Sequence, residues 1–572
     1  MNDIHPAPVR DTVQVRLQNG RAYDGPKGTT IEDFLQFITE KDIKKYHVVA
    51  AFCGGSLREL SQPLMHDAKL VPVNIGDADG ARIYRRSLCF LMVAAASQLM
   101  PEHTITIQHS MPFGGYYCEG QNGEMLTDDE LSALRTRMQE LVEQDLPINK
   151  ITIPLHEALQ IFKDNGDMEK AELFARRRKD YLTLYELLDF RDYFHGFMVP
   201  STGYLDMFEL HHYNDGFILQ FPRRHAPDLL QPFEDEPRLA KVFQDYNDWL
   251  SIIGVPSVAA LNHALNNGRC QEVILVAEAF HMRQLTKIAH DIADRRHEVQ
   301  LVMISGPSSS GKTTFSKRLA VQLLAQGIHP VTIAMDDYFV NREDTPCDEN
   351  GNYDFEVLEA VDIALLRQQL QQLLNGETIV QPQFNFLTGQ REWGSELNIG
   401  PDHVILIEGI HGLNPQIVEG LPPSAMYRIF ISALTQLNLD RHNRVPTTDT
   451  RLLRRIVRDA AHRGYSATDT ILRWPSVRRG ERLHIFPHQN NADIFFNSAL
   501  VYEQSVLNAL AQPLLLQVEP DHPARVEANR LLAFLQWFDP IPTEALDYIG
   551  SDSILREFIG GSILDKFEIW RP

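Results

Sequence analysis

The sequence has 572 residues, of which 44% are hydrophobic and 23% are charged, a composition typical of soluble globular proteins. A chain of this length is too long for one hydrophobic core, so three or four domains are expected. The formal net charge of −22 argues against a general nucleic-acid or membrane-surface binder, because polyanions would be repelled except at a locally basic site.

Targeting signals and cysteine usage predict a cytoplasmic protein. The first residues, MNDIHPAPVRDTVQV, show no basic segment followed by an apolar one, and no uncharged apolar stretch is long enough to span a bilayer. The five cysteines are scattered, odd in number and form no CxxC pair. We therefore expect free thiols in a reducing compartment and no zinc site built from cysteines.

The first half of the chain predicts small α+β modules. Residues 12–75 alternate short β-like runs with turns around one helix, TTIEDFLQFI, with Thr29 or Thr30 as its cap. Residues 82–100 predict an amphipathic helix, and HTITIQHSMPFGGYYCEG predicts a strand, a turn and a strand. Thr127 is a good cap for the helix that follows it. Further strands are predicted at KITIP and DGFILQF, and residues 233–294 are expected to be mostly helical.

From residue 298 the pattern changes to buried strands alternating with long helices. The strands are VQLVMISG, PVTIAMDD, HVILIEGI, YRIFISA and ADIFFNSA, each nearly continuous in apolar residues. Such strands are typical of a parallel sheet covered by helices on both faces. We therefore predict a doubly wound α/β domain here.

The run LVMISGPSSSGKTTFSKRLA contains G-x-x-x-x-G-K-[ST] in full, between an apolar strand and a helix. In this motif the glycines let the loop wrap, and backbone N–H groups and the helix N-terminus face the anion. Lys312 is expected to reach the β- and γ-phosphates, and the Thr313 hydroxyl to ligate Mg²⁺. The motif predicts a bound nucleotide but not a reaction, since hydrolases, GTPase switches and small-molecule kinases all carry it.

Carboxylates at the ends of the next two strands narrow the range of reactions that this motif allows. Asp336 and Asp337 end one strand and Glu408 ends another, and these ends face the ligand crevice of a doubly wound sheet. GTPase signatures do not follow, so Asp336 is our candidate general base and Glu408 our candidate metal ligand, with Asp336 also close to the metal. The alternative is structural: the aspartates could cap the turn that follows them.

An arginine-rich helix is predicted in TTDTRLLRRIVRDAAHRG. At helical spacing Arg451, Arg455 and Arg458 fall on one face. The helix is interpreted as a lid that closes on transferring phosphates and neutralises their charge, and the alternative is a solvated charged face.

At these residues the chain resembles the uridine kinase family, within the phosphoribulokinase and uridine kinase group of P-loop kinases. The matching motifs are GPSSSGKTT, MDDYF, NYDFEVLEAVD, QPQFNFLTGQR, ILIEGIHGL and DTRLLRRIVRD. The resemblance implies ATP as phosphate donor, Mg²⁺ as cofactor, and Asp336 as the base for a ribose 5′-hydroxyl. Asp354 would bind the ribose hydroxyls, and Phe384 and Phe386 would enclose the base. The implied phosphate ligands are the loop residues Gly306, Ser308, Ser309, Ser310, Gly311, Lys312, Thr313 and Thr314 and the lid arginines Arg455, Arg458 and Arg463, of which Arg455 would also contact the substrate.

The base-pocket segment departs from the family pattern. Where the family has a tyrosine and later a histidine, this sequence has Phe384 and Gly389. Loss of a hydrogen-bonding edge would relax or change base selectivity.

Residues 12–225 resemble the TGS module and second additional domain of threonyl-tRNA synthetases, through GTTIEDFL, RIYRRSLCFLMVAAASQLMP, FGGYYCE and LTDDELSALRTRMQELV. The HxxxH zinc pair of that region is replaced by Phe90 and Ala94, so no editing hydrolase is expected. His211 and His212 are adjacent on a strand and point to opposite faces, so ordinary structural roles are expected for them. A binding or regulatory platform is the favoured interpretation.

The final run LDYIGSDSILREFIGGSILD resembles the ending of the long, fused bacterial uridine-kinase-like proteins that carry this synthetase-like front. The predicted domains are 1–75 (TGS-like β-grasp), 76–225 (synthetase-like α+β), 226–295 (helical linker), 296–510 (P-loop kinase) and 511–572 (extension packing on the kinase or on the N-terminal half).

The predicted function is an ATP-dependent kinase acting on the 5′-hydroxyl of uridine or cytidine. Two alternatives remain: a related kinase for a purine nucleoside, a phosphosugar or a vitamin precursor, and a nucleotide-dependent regulatory protein that binds RNA. Nucleic acid is not the favoured partner, although tRNA stays open; no membrane partner is expected, and an oligomer is compatible with the sequence.

Overall fold

A computed structural model gives the fold, and it describes residues 10–36, 48–120, 125–177, 179–348, 351, 353–400, 402–435 and 437–567. The chain forms two compact units. The first consists of Met1–Asp235, Ser257–Ala259 and Gln436–Arg444, and the second contains Glu236–Pro256, Ala260–Thr435 and Val445–Pro572. The finer division into five domains stays a prediction.

The first unit opens with a five-stranded sheet around one short helix. Its elements are β1 (Thr12–Leu17), β2 (Ala22–Pro26), α1 (Ile31–Gln36), β3 (Val48–Cys53), β4 (Ser56–Glu59) and β5 (Ala68–Asn74), and the strand order is β2-β1-β5-β3-β4. Thr30 caps α1 by accepting the Asp33 N–H at 3.1 Å, as predicted. The last two residues of the predicted helix, 37 and 38, lie outside the described residues.

The other described residues of the first unit form two antiparallel sheets and four α-helices. They are α2 (Ala78–Leu99), β6 (Thr106–Met111), β7 (Gly115–Glu119), α3 (Asp128–Glu143), β8 (Asn149–Pro154), α4 (Leu155–Asp164), α5 (Met168–Ala175), β9 (Tyr181–Leu187), β10 (Phe190–Asp192), β11 (Glu209–Tyr213) and β12 (Gly216–Gln220). The sheet orders are β11-β12-β7-β6 and β10-β9-β8. Thr127 and Glu130 form the capping box predicted for α3.

Helix α2 differs from its prediction in start and in character. It begins at Ala78 rather than residue 82, and every residue of its stretch 87–96 is buried, so it is not amphipathic there. Phe90 stands edge-on to Phe194 at 5.5 Å between ring centroids, and Ala94 is 2% exposed. The two positions that would carry the zinc-binding histidines are therefore core positions.

A charged cluster is buried in the first unit. The Lys170 ammonium donates to both carboxylate oxygens of Asp192, at 2.8 and 3.0 Å, and lies 3.3 Å from Asp167 and 3.5 Å from Asp440. His442 Nδ1 is 2.6 Å from Asp192. Asp167, Asp440 and His442 are spaced so that they could hold a cation, but the lysine already supplies that positive charge.

The second unit begins with helices and continues as the predicted α/β domain. Its elements are α6 (Pro237–Ile252), α7 (Val258–Asn266), α8 (Cys270–Asp294), β13 (Leu301–Ser305), α9 (Lys312–Ala325), β14 (His329–Ala334), α10 (Ile363–Leu374), β15 (Ile379–Asn385), β16 (Gln390–Leu397), β17 (His403–Glu408), β18 (Met426–Ser432), α11 (Thr447–Arg458), α12 (Ala467–Gly480), β19 (Ile494–Asn497), α13 (Glu503–Leu516), α14 (Arg525–Leu535) and α15 (Arg556–Ile559). The first two residues of α7, Val258 and Ala259, belong to the first unit. None of the helices in the described part of the chain is long and apolar enough to cross a membrane.

The five predicted strands form one parallel sheet in the order β14-β17-β13-β18-β19. Strand β13 is fully buried, as expected for a strand covered on both faces. The predicted doubly wound α/β class is confirmed, and the mixed α/β character of the first unit is confirmed as well. The hairpin of β15 and β16 was missed because exposed residues dominate β16 and hide any alternating pattern.

Candidate active site

The phosphate loop joins β13 to α9 through two glycines that no larger residue could replace. A side chain on Gly306 would collide with the Ile431 carbonyl oxygen. Gly311 has φ +89°, a left-handed conformation that favours glycine, and Ser309 is left-handed at φ +59°. The hydroxyls of Ser309 and Ser310 are buried without a hydrogen-bond partner among the described residues, so the loop holds donors with no internal acceptor.

Lys312 is the first residue of α9, and its ammonium folds back onto the loop. It donates to the carbonyls of Gly306 at 2.9 Å and Pro307 at 3.2 Å. Burial lowers the pKa of Lys312, and the charges of Glu408, Asp336 and Glu557 oppose that shift. The lysine is therefore buried beside several carboxylates, whose charges favour its cationic form.

The carboxyl ends of β14 and β17 bring the predicted carboxylates to this loop. Glu408 stands across from Ile304 and Ala334 in the sheet register, between β13 and β14. The Thr313 hydroxyl donates to Glu408 Oε1 at 2.9 Å. Asp336, two residues after the end of β14, lies close enough for its charge to act on both Lys312 and Glu408.

The pKa values of these carboxyls reflect burial. Burial and the neighbouring Asp336 raise the pKa of Glu408 to about 7, against the lowering effect of Lys312. Burial also raises the pKa of Asp336, while Lys312 and Arg463 lower it. A carboxylate whose pKa is raised toward neutrality is suited to taking a proton.

Asp337 has a different environment from its neighbour Asp336. It accepts the backbone N–H of Phe384 at 3.4 Å, and burial raises its pKa to about 6. Asp337 therefore supports strand β15, whereas Asp336 faces the phosphate-loop lysine.

The arginines of α11 divide into two groups. Arg451 and Arg454 are 1% and 0% exposed and pair with Glu481 and Glu503. They also donate to the carbonyls of Ser308 at 3.1 Å and of Ser309 at 3.4 Å. These two arginines therefore hold the phosphate loop in place. Because they are buried, the alternative interpretation of this helix as a solvated charged face is wrong for them.

The other arginines converge on one carboxylate. Arg455, Arg458 and Arg463 lie 3.3, 2.9 and 3.7 Å from Asp459. Arg455 also donates to the Ser308 hydroxyl at 2.8 Å, which brings its guanidinium to the loop. The side chain of Arg463 is half exposed and the others are largely buried.

The segment predicted to bind the acceptor lies between β14 and β16. Asp354 pairs with Arg479 at 3.3 Å, and Arg479 is shared with Asp348 at 3.6 Å. Phe384 is 4% exposed and belongs to the core, whereas Phe386 is 60% exposed.

The position expected to differ from the family pattern is closed by an arginine. Gly389 has φ +74°, and a Cβ there would lie 2.7 Å from the Arg342 guanidinium nitrogen. Arg342 Nη2 also donates to the Phe386 carbonyl at 2.7 Å. Arg342 therefore lies beside the residues expected to enclose the base.

Three glutamates near the loop were missed by the sequence reasoning. Glu356 Oε2 is buried without a partner among the described residues, and burial and Glu481 raise the pKa of Glu356 to about 7. Glu481 accepts the Ser308 N–H at 3.2 Å. Glu557 binds Thr314 of the phosphate loop. Of the three, only Glu356 has a signal in the sequence, since it lies two residues after Asp354.

The second unit has a glycine-rich loop between a buried strand and a helix, and Lys312 and Thr313 of that helix lie near carboxylates at the ends of parallel strands. This arrangement has the fold of a P-loop kinase domain. Residues 301–503 match the model of the PRK family, described as "Phosphoribulokinase / Uridine kinase family". The resemblance found in the motifs is thereby confirmed over this part of the chain.

The N-terminal part is similar to threonine--tRNA ligases. It is 33% identical over 191 residues to the ligase of Halorhodospira halophila, covering 33% of this chain and 29% of that protein. It is 35% identical over 165 residues to the ligase of Methylococcus capsulatus, covering 28% and 26%. The chain thus spans about three tenths of the length of the curated relatives it matches.

Among solved structures, one described as "a Possible Uridine Kinase from Bacillus stearothermophilus" is 17% identical and covers 37% of this chain and 99% of that one, with a TM-score of 0.26.

Proposed function

We propose that this protein is an ATP-dependent nucleoside kinase that transfers the γ-phosphoryl group to the 5′-hydroxyl of a ribonucleoside, with uridine and cytidine as its acceptors. The observation that carries the proposal is the meeting of Lys312, Asp336 and the Thr313–Glu408 pair at one edge of the parallel sheet. A phosphate ligand, a base and a metal-binding pair are the parts that phosphoryl transfer needs.

In the proposed reaction Asp336 accepts the proton of the attacking hydroxyl. Lys312 and Arg455 lie on the phosphate side, Lys312 at the carbonyls of the loop and Arg455 at the Ser308 hydroxyl. Their charges would stabilise the negative charge on the transferring group, so the protein contributes positioning and charge neutralisation.

The pair of Thr313 and Glu408 fits magnesium. Thr313 and Glu408 offer a hydroxyl and a carboxylate oxygen 2.9 Å apart, and Mg²⁺ prefers such oxygen ligands. Thr313 and Glu408 would hold the ion, with Asp336 beside it. When bound, Mg²⁺ would neutralise charge on the β- and γ-phosphate oxygens.

The surroundings of Asp354 favour an uncharged polyol as acceptor. A phosphorylated acceptor would need free basic groups there, and the guanidinium of Arg479 is shared by two carboxylates, Asp348 and Asp354. A ribose, whose hydroxyls need hydrogen-bond partners rather than countercharges, suits this arrangement.

One observation favours a second candidate, a related kinase with another acceptor base. The guanidinium of Arg342 closes on Gly389, where the family pattern has a histidine. An arginine donates but cannot accept hydrogen bonds, so it would recognise acceptor atoms, which purines and pyrimidines both carry, and this edge would not restrict the acceptor to uridine and cytidine.

The test is a panel of pyrimidine and purine nucleosides with ATP and Mg²⁺, with Lys312→Ala as the inactive reference. We expect 5′-monophosphate formation from uridine and cytidine and a large loss in the variant. Turnover of purine nucleosides alone would favour the second candidate. No turnover of any nucleoside, with the variant indistinguishable from wild type, would contradict both.

For the first unit we propose a binding or regulatory role, supported by the apolar residues at Phe90 and Ala94. Salt-dependent binding of tRNA by the full chain would instead favour an RNA-binding function.

A further inference from the structure

The segment 549–567 runs along the phosphate-loop helix α9, and both belong to the second unit. The Lys317 ammonium donates to the Leu564 carbonyl at 2.5 Å, and Arg318 lies 3.6 Å from Asp552. Ile554 is fully buried, and its Cγ2 atom would be 2.6 Å from a Cβ on Gly311. The segment is therefore packed directly against the loop.

At the centre of this segment a carboxylate reaches the loop itself. Glu557, in α15, accepts the Thr314 backbone N–H at 3.3 Å and the Thr314 hydroxyl at 2.8 Å. Thr314 is the third residue of α9, so its N–H is one of the first-turn donors that have no partner inside the helix. These are the donors with which a helix N-terminus binds anions.

A nucleotide in this loop would need the same donors. Backbone N–H groups of a phosphate loop and of the helix that follows it bind the α- and β-phosphates. A phosphate and the Glu557 carboxylate cannot both accept from Thr314 without bringing two negative charges into contact, which is unfavourable in a partly buried site. One of the two anions has to leave.

We propose that segment 549–567 is an autoinhibitory strap, in which Glu557 competes with nucleotide phosphate for Thr314 and is displaced when a nucleotide binds. This inference rests on the proposed nucleotide-binding function of the loop. The strap is connected to further parts of the site: Phe558 lies under the Arg454 guanidinium at 4.9 Å, and Arg454 donates to the Ser309 carbonyl. Displacement of Glu557 is thereby linked to the loop and to α11.

A purely structural role is the competing explanation, because a carboxylate at a helix N-terminus also stabilises the helix. The two roles differ in their effect on nucleotide affinity. A structural cap that is lost lowers stability and loosens the loop, so nucleotide binds with equal or lower affinity. A competitor that is lost leaves the donors free, so nucleotide binds more tightly.

The experiment measures binding by calorimetry, using a non-hydrolysable ATP analogue with Mg²⁺ and, separately, inorganic pyrophosphate. The variants are Glu557→Gln, which removes the charge, and Glu557→Asp, which shortens the reach and serves if the first variant folds poorly. Glu544→Gln, in an exposed turn of the same region, is the matched control. We expect roughly tenfold tighter binding for Glu557→Gln, a smaller gain for Glu557→Asp, and no change for the control.

Hydrogen exchange on the wild-type protein supplies the second measurement. Backbone amides of 549–567 should exchange faster when the analogue is bound, while those of α14 stay unchanged. Unchanged or weaker binding by Glu557→Gln, or equal exchange of the strap with and without analogue, would overturn the proposal.

Binding is measured without phosphoryl transfer, so the two proposals can fail separately. Tighter binding by Glu557→Gln in a protein that phosphorylates no nucleoside would support the strap and contradict the kinase function. Normal nucleoside phosphorylation, with equal nucleotide affinity in wild type and Glu557→Gln, would support the kinase function and contradict the strap. Absence of nucleotide binding by all of the proteins would overturn both proposals.

Discussion

The hydroxyl of Thr313 donates to Glu408 Oε1 at 2.9 Å and thereby joins the first turn of α9 to the carboxyl end of β17. This bond holds together the two oxygen atoms that we propose as magnesium ligands. The hydrogen bond from Thr313 lowers the pKa of Glu408, whereas burial, the larger effect, raises it.

Magnesium affinity should depend on pH through Glu408. Burial raises its pKa to about 7, and the protonated form cannot ligate a cation, so affinity should rise with pH up to about 7 and then level off. Between pH 7 and pH 6 we expect about a fivefold loss of apparent affinity, which a magnesium titration of the rate at several pH values would measure. Glu408→Gln should bind magnesium weakly with a flat pH profile; the wild-type slope in this variant would contradict the assignment.

The two adjacent aspartates should have separable roles. Asp336→Asn removes the proposed base, so kcat should fall by about 10²–10⁴ with little change in nucleotide affinity. Asp337→Asn keeps an oxygen able to accept the Phe384 N–H, so kcat should change much less. Steady-state kinetics of both variants check this, and equal losses would argue against the assignment of Asp336.

Arg455 should matter more for transfer than Arg458. Arg455 binds the Ser308 hydroxyl, while Arg458 pairs with Asp459, so Arg455→Ala should lower kcat by about 10²-fold and Arg458→Ala by clearly less. Single-turnover rates at saturating ATP are the measurement. If Arg458→Ala lost more of the single-turnover rate than Arg455→Ala, the contacts of these arginines described here would not be those made during catalysis.

Phe386 and Phe384 form a matched pair for the acceptor site. Phe386→Ala removes an exposed ring, and if that ring stacks on the base the nucleoside KM should rise roughly tenfold, from about 1–3 kcal/mol of stacking. Phe384→Ala removes a core side chain and should instead cost about 3–5 kcal/mol of stability. Thermal unfolding and KM measured on both variants separate the two roles; an unchanged KM in Phe386→Ala would exclude stacking.

His281 should make the second unit sensitive to mild acid. Burial lowers its pKa from 6.5 to about 3, while its Nε2 atom is 3.0 Å from the Ala499 carbonyl. Between these values the unfolded chain binds a proton that the folded chain does not, so stability rises with pH there. Each pH unit below about 6.5 should cost about 1.4 kcal/mol, and His281→Gln should lack this component. Unfolding midpoints at pH 7 and pH 5.5 test the difference between the two proteins.

The parallel sheet and the phosphate loop could be predicted because their signals are local. The five buried strands are nearly continuous apolar runs, and the loop has fixed spacing from Gly306 to Thr313. The residues at the strand ends followed from a general rule for such sheets. The roles of Asp336, Asp354 and Glu408 stay predictions until they are tested.

The features that the sequence could not provide depend on contacts between distant residues. Glu557 is 243 positions from Thr314 and lies in no motif of the loop. Arg451 and Arg455 share a helical face in the sequence. In the structure Arg451 pairs with Glu481, 30 positions after it, whereas Arg455 lies 3.3 Å from Asp459. Spacing identifies which residues share a face, but not which buried partner each one meets.

The nine residues Gln436–Arg444 lie between β18 and α11 in the sequence, yet they belong to the first unit. Within that unit Asn443 donates to the Tyr193 carbonyl at 3.0 Å, and Asp440 lies beside the Lys170 ammonium. A gene fragment limited to the kinase-like sequence would contain this loop, which directly precedes α11, without the first-unit residues Tyr193 and Lys170 that it contacts. The kinase-like sequence therefore contains a segment of the first unit, and a single cut in the gene cannot separate the two units.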